Sequence, residues 1–247
     1  MADRDEVLAY ARELLDLDSF RDYGPMGLQV VGSPTVHRIA CAVSSSKELF
    51  ERAAELGAEL VIVHHGLLWD KEPRTIDARM KGRLKVLFDA DITLAGYHLA
   101  LDAHPDIGNN ALLARELGIE PKRRFAEIGF GGPLSEPSSL ERFLERVREV
   151  LGRDPLVFAH GPERVESVAI STGGAARDLP EAARQGYDLF LTGEADEPTL
   201  ASARELGLNF VAGGHYATER LGIQALAGRL AERFALEWSF IELENPV

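Results

Sequence analysis

A single cysteine, Cys41, stands in the 247 residues, flanked by Ala40 and Ala42 in an apolar run. Its isolation excludes an intrachain disulfide and any zinc site built from several thiolates, and fits a reducing, cytoplasmic location. Long apolar stretches are also missing: no run approaches the ~18–20 residues that a membrane-spanning helix needs. The N-terminal "MADRDEVLAYARELLDLDSF" alternates charge with apolar residues at helical spacing and lacks the apolar core of a secretion signal. Positive charge is scarce, since 27 Lys and Arg against 40 Asp and Glu leave a net charge of −13. No long-range field then draws the chain to nucleic acid or anionic lipid, which disfavours both as main partners. What remains, 45% hydrophobic and 27% charged residues, is the composition of a globular protein of one or two domains.

Helix and strand signals alternate along the chain, the pattern of an α/β protein. "RIACAVSS" (38–45) reads as a strand, "SKELFERAAELG" (46–57) as a helix closed by glycine, and "ELVIVHH" (59–65) as a second strand. "RLKVLFDAD" (83–91) reads as helix, "ITLAGYH" (92–98) as a third strand and "GNNALLARELG" (108–118) as another helix. The order then recurs. "SVAISTGG" (167–174), "LPEAARQG" (179–186), "YDLFLTGE" (187–194) and "LNFVAGGH" (208–215) follow one another as strand, helix, strand, strand. Both third strands end Ala-Gly-x-His, and a carboxylate follows four residues behind each histidine: His98 with Asp102, His215 with Glu219. The expectation is an internal duplication of two similar α/β halves, 1–125 and 126–247, with mixed sheets flanked by helices and "AEIGFGGPLSEPSS" (126–139) as the junction. "GFGGP" (129–133) lacks the Lys-Ser/Thr of a phosphate loop and reads as a turn.

One feature breaks the repeat. The second strand of the first half ends His64-His65, whereas its counterpart ends Gly193-Glu194, so the histidine pair is not a packing need common to both strands. In open α/β sheets, ligands bind at the carboxyl ends of strands. His64, His65, His98, Asp102, His215 and Glu219 all occupy such positions, and imidazole with carboxylate suits zinc, manganese or iron. Neighbouring residues on a strand point to opposite faces, so the pair is expected where the strand has ended and Gly66 permits a turn, each ring serving a different ion. Two ions need a bridging carboxylate, for which Glu219 is the longer candidate, and such pairs activate water for hydrolysis. Set against this are plainer readings. A histidine after a strand is commonly a hydrogen-bonded core residue, and an i,i+4 His-acid pair is common on helix surfaces. Trp69 fits either an apolar wall beside the ions or the core, and Tyr216 either an oxyanion donor or a structural neighbour. His37, His104 and His160 lie in loop-like contexts and receive no role.

"DYGPMGLQVVG" (22–32), "VIVHHGLLW" (61–69), "YHLALDAHPDIGNNALLA" (97–114), "LTGEADE" (191–197) and "GGHYATERLGIQAL" (213–226) together resemble the Nif-three-like dinuclear metal-centre proteins, labelled GTP cyclohydrolase 1 type 2 homologues. The resemblance implies a duplicated α/β fold, a metal site between the halves and a toroidal homohexamer. It also implies two divalent ions per chain on His64, His65, Asp102, His215 and Glu219, with Glu219 shared and His98 a close neighbour outside the ligand set, for which an outer-shell or proton-handling role is expected. Ser44 and Met26 stand where the family pattern often has Asp and Asn. The function implied is metal-dependent hydrolysis of a small nucleotide-like or phosphoester substrate, with GTP ring opening one candidate. The alternative is a ring-shaped metal-binding scaffold or regulatory protein without catalysis, acting in DNA repair or transcription.

Overall fold

The computed structural model describes all residues, Met1–Val247, as a mixed α/β fold in two compact units. The first unit comprises Met1–Leu101 and Gly222–Glu244, the second Asp102–Leu221 and Asn245–Val247. The division therefore does not fall between 125 and 126. The C-terminal strand Glu237–Phe240 pairs in parallel with Arg38–Ser44, which ties the last strand to the first unit's sheet. Conversely, Leu113, Ala114 and Leu117, on or just after the helix Asn109–Glu116, join the core of the second unit with Val168, Ile170, Leu189 and Leu191.

The first unit is built on a five-stranded sheet ordered Glu237–Phe240, Arg38–Ser44, Leu60–His65, Thr93–Gly96, Gly27–Val30, parallel except for the antiparallel last strand. Val61, Ile62 and Val63 are all buried, the mark of a parallel strand covered on both faces, and this is why the sequence reads there as an unbroken apolar run. Helix Lys47–Glu55 buries Leu49, Phe50 and Ala53 against this sheet, and its N-terminus is capped by the Ser46 hydroxyl, which accepts from the Leu49 N–H at 3.0 Å. Helix Ala78–Asp89 begins five residues before the sequence pattern suggests, because Asp77 caps it through the Met80 N–H at 2.7 Å.

The second unit holds a six-stranded sheet ordered Arg123–Phe125, Gly129–Ser139, Arg164–Ile170, Leu189–Thr192, Asn209–Ala212, Leu156–Phe158. The Arg164, Leu189 and Asn209 strands are parallel, and an antiparallel strand flanks them on either side. Alternate residues feed two cores. Val168, Ile170, Leu189, Leu191 and Val211 face one cluster, while Ala169, Phe190, Phe210 and Ala212 face another with Phe125. The first sheet thus carries four parallel strands and the second three, and each has an antiparallel edge strand that precedes its parallel strands in the chain.

The glycine-rich 126–139 segment is a correction to the sequence reading. Residues Gly129–Ser139 are a strand inside the sheet, neither a turn nor a junction. The glycines are there for close approach: a Cβ on Gly129 would lie 2.3 Å from the Ile170 carbonyl oxygen, on Gly131 2.3 Å from the Tyr187 hydroxyl, and on Gly132 1.8 Å from the Glu120 carbonyl oxygen. Composition suggested a turn because the same residue serves both purposes.

Phe190 is fully buried between Phe125 and Phe210, with ring centroids 5.3 and 6.0 Å away. Phe190→Ala is expected to destabilise the protein by about 3–5 kcal/mol. Urea unfolding followed by circular dichroism measures this, and an unshifted midpoint would contradict the packing described.

Candidate metal centre

The sites of interest form where the parallel strands stop. In the first unit, Leu60–His65 ends on the histidine pair and Thr93–Gly96 is followed by Tyr97 and His98. Contrary to the sequence expectation, both His64 and His65 still belong to the strand. They share its end by leaning to opposite neighbours. His64 Nδ1 donates to the Tyr97 carbonyl oxygen, 2.9 Å away beyond one flanking strand, and His65 Nδ1 meets the Ser44 hydroxyl at 2.9 Å on the other. Their ring centroids are 4.7 Å apart. Gly66 is not a turn glycine, since its φ is not positive. A Cβ there would lie 2.2 Å from Gln29 Nε2, and the Gln29 amide pins the following loop by accepting from the Leu67 N–H at 2.7 Å and donating to the Pro25 carbonyl at 2.8 Å.

His98 stands with its ring 5.0 Å from His64 and 5.5 Å from His65, and its Nδ1 donates to Asp22 Oδ1 at 2.8 Å. Nitrogens of His64, His65 and His98 lie within 4.8 Å of one another, close enough to hold an ion. Trp69 is half-buried, edge-on to His98 at 5.1 Å, with its indole N–H donating to the Gly66 carbonyl at 3.1 Å. It is therefore a wall beside the histidines. Asp22, Met26, Gln29, Trp69, His64 and His98 line one small cavity, which gives Met26 its place.

In the second unit, Gly193-Glu194 follows Leu189–Thr192, and Gly213-Gly214 leads from Asn209–Ala212 into the short helix His215–Thr218. His215 Nδ1 donates to Glu194 Oε1 at 2.5 Å, and its Nε2 lies 3.2 Å from Glu219 Oε2. Asp102 and Glu219 are both buried and place carboxylate oxygens within 4.8 Å of each other. Asp102 Oδ1 accepts from the Asn109 amide at 2.8 Å, and Thr172 is fixed beside it by the Asn110 amide oxygen, which accepts from the Thr172 N–H at 2.8 Å. Space for these donors depends on Gly173. With φ at +70°, its missing Cβ would fall 2.2 Å from Glu219 Oε1 and 3.1 Å from His215 Nε2. Tyr216 is buried, with its N–H donating to the Val247 carbonyl oxygen at 3.0 Å.

A pattern emerges across both units. His64, His65, His98 and His215 are each anchored through Nδ1, by a backbone carbonyl, a hydroxyl and two carboxylates respectively, so each ring presents Nε2 on its opposite side. Metal-binding histidines are held in this way, with the outer nitrogen engaged and the inner one directed at the ion. The buried His, Asp and Glu groups could therefore hold a metal ion. Cys41 is no competitor, because burial pushes its thiol up to about 12. Sequence reasoning gave no role to the anchors. Asp22 lies 76 residues from His98 in a segment without periodicity, and Ser44 drew notice only as a departure from a family pattern. Glu194 did carry a signal, as the counterpart of the histidine pair. His104, given no role, caps its own loop by accepting from the Asp106 and Ile107 N–H groups at 3.1 and 3.2 Å.

Burial opposes protonation of His215, but Glu219 and Glu194 outweigh it and raise the imidazole from 6.5 to about 9. In the metal-stripped protein this charge pairing stabilises the fold fully below about pH 6.5 and is lost as pH rises through about 9. The thermal midpoint of stripped protein is expected to carry a falling component over that window, reduced in Glu194→Gln; identical pH profiles for the two proteins would count against the pairing. Gly173→Ala is expected to weaken metal retention by about 10-fold or more. Elemental analysis after dialysis measures this, and wild-type retention would show that the glycine's space is not needed.

The Duf34/NIF3 (NGG1p interacting factor 3) family model matches residues 2–246. A protein of Pseudomonas aeruginosa named GTP cyclohydrolase 1 type 2 homolog is 44% identical over 241 residues, covering 96% of this chain and 95% of its own. The Escherichia coli K12 protein of the same name is 45% identical over 242 residues, with 98% of each chain covered. Among solved structures, protein ybgI, described as of unknown function, superposes with a TM-score of 0.97 at 43% identity over 100% of both chains. A Thermus thermophilus protein superposes with a TM-score of 0.93 at 36% identity, again over 100% of both. On the family match along its whole length and these relatives, the chain belongs to the Duf34/NIF3 family.

Proposed function

We propose that the chain binds two divalent metal ions through His64, His65, Asp102, His215 and Glu219 and uses them to hydrolyse a small nucleotide-like or phosphoester substrate. The observation that carries this reading is the common anchoring of His64, His65 and His215 through Nδ1, which leaves each Nε2 on the side away from its anchor. The donor chemistry fits zinc, manganese or iron, with neutral imidazole and carboxylate and no thiolate. Glu219 suits a shared ligand, since it neighbours both Asp102 and His215. Ions at these donors would supply Lewis acidity and lower the pKa of bound water toward neutrality.

The chain's own residues would do the rest. Trp69 would exclude water from one side and offer a flat apolar surface to a ring-bearing substrate. His98 would accept a proton from an attacking water and return it to the leaving group. The names of the curated relatives make opening of the guanine ring of GTP one reaction to test. A homohexameric ring in the cytoplasm is part of the same proposal, and its test is native mass.

Elemental analysis of protein grown with added zinc, manganese and iron is expected to give two ions per chain. A panel of nucleotides, GTP included, and phosphoesters is expected to reveal a substrate whose turnover falls by about 100-fold or more in His64→Ala, beyond the loss expected for an outer contact. Equal turnover in the two proteins would sink catalysis at this site, and fewer than two ions would sink the dinuclear reading. Ions retained with no turnover on any substrate would favour the scaffold reading.

A further inference from the structure

Asp22 belongs to no proposed ligand set, yet it is among the most constrained side chains of the first unit. Its carboxylate is only 2% exposed. Oδ1 accepts from His98 Nδ1 at 2.8 Å and from the Tyr23 N–H at 2.6 Å, while Oδ2 accepts from the Leu99 N–H at 2.9 Å. One side chain therefore fixes both the ring of His98 and the backbone at the start of the short helix Leu99–Asp102. The ring is held laterally as well, by Trp69 edge-on at 5.1 Å and Tyr23 at 6.2 Å.

This arrangement has a chemical consequence. A carboxylate can only accept, so His98 Nδ1 must carry a proton, and in the neutral ring Nε2 is then the lone-pair nitrogen. Nε2 makes no hydrogen bond within the protein, and the ring stands 5.0 and 5.5 Å from those of His64 and His65. We propose that Asp22 is a positioning residue that holds His98 as the Nδ1–H tautomer, with Nε2 directed as a proton acceptor toward the His64–His65 pair. The inference rests on the hydrolytic reading for its purpose, but not for its geometry. In the step it serves, a proton passes from the oxygen of the attacking water to Nε2 as that oxygen bonds to the substrate. The resulting imidazolium is balanced by the Asp22 carboxylate, and the same proton leaves with the departing group.

The test is the tautomer itself. Magic-angle-spinning NMR of protein labelled with 15N-histidine, with the His98 signals assigned by their loss in His98→Asn, reads which ring nitrogen carries the proton. Wild type, stripped of metal and held at a pH where the ring is neutral, is expected to show Nδ1–H and bare Nε2. Asp22→Asn is nearly isosteric; with its oxygen on the Leu99 N–H, its amide nitrogen meets Nδ1 and is expected to switch His98 to Nε2–H at the cost of the Tyr23 N–H acceptor. Asp22→Ala, which removes the acceptor whichever way an amide turns, is expected to release the ring from the fixed Nδ1–H form. Zinc content is expected to stay at the wild-type value, with turnover of any substrate found down by about 100-fold or more. A wild-type ring in the Nε2–H form, or a tautomer unmoved in both Asp22→Asn and Asp22→Ala, would overturn the proposal whatever the enzyme's substrate. So would a shift of the Nε2 resonance on zinc loading that marks it as a ligand. Should Asp22→Asn fail to fold, the wild-type tautomer still decides. A switched tautomer with unchanged turnover would reject the proton-acceptor role while leaving metal-dependent hydrolysis standing.

Discussion

The hydrogen bond from the Nδ1 of His64, His98 and His215 organises the polar ends of this protein's parallel strands. An imidazole buried at the end of a parallel strand has two nitrogens, and either can point inward. Tying Nδ1 to a fixed acceptor decides which one does, and sets the proton arrangement at the same time. For His64 the partner is the main-chain carbonyl of Tyr97, which no side-chain substitution can remove; for His98 and His215 it is a carboxylate, which also stabilises positive charge. The Ser44 hydroxyl beside His65 can donate or accept, so it orients that ring without dictating its tautomer.

These bonds are possible because each sheet delivers its loops to one end. Four parallel strands run side by side in the first unit and three in the second, and their carboxyl ends open together. The adjacency of His64 and His65 follows from the same topology. A strand flanked by parallel neighbours on both sides offers an anchor to left and right, Tyr97 on one and Ser44 on the other, so consecutive residues can serve one end of a sheet. The loops must also stay thin. Gly66 and Gly173 are positions where a single methyl group would strike Gln29 or Glu219, and the close packing of backbone against functional side chain is what gives those glycines their place.

The distribution of charge follows a related logic. The chain is acidic overall, and most of its ion pairs sit on the surface, where each contributes little. The buried carboxylates differ in kind. Asp22 is held below the usual carboxylate range although burial alone would raise it, because His98 and the Tyr23 and Leu99 N–H groups all stabilise its charged form. Asp102 is satisfied through Asn109, itself fully buried. A carboxylate is buried at tolerable cost only when such partners are built in beforehand.

The sequence by itself determined the α/β class, the strands that lead to the site and the residues able to bind metal. Apolar runs of strand length, capped helices between them and a histidine pair at a strand's end are local signals, legible because secondary-structure periodicity and donor chemistry depend on neighbours in the chain. Only the tertiary structure decided which residues hold those donors in place. Asp22, Ser44 and Gln29 reach their histidines and glycines across 76, 21 and 37 positions, and nothing in their surroundings along the chain marks them as partners. The glycine-rich strand Gly129–Ser139 and the return of Glu237–Phe240 to the first sheet were hidden for the same reason. Strand pairing and close approach of distant backbone are set by folding, whereas composition records only that a small residue is needed.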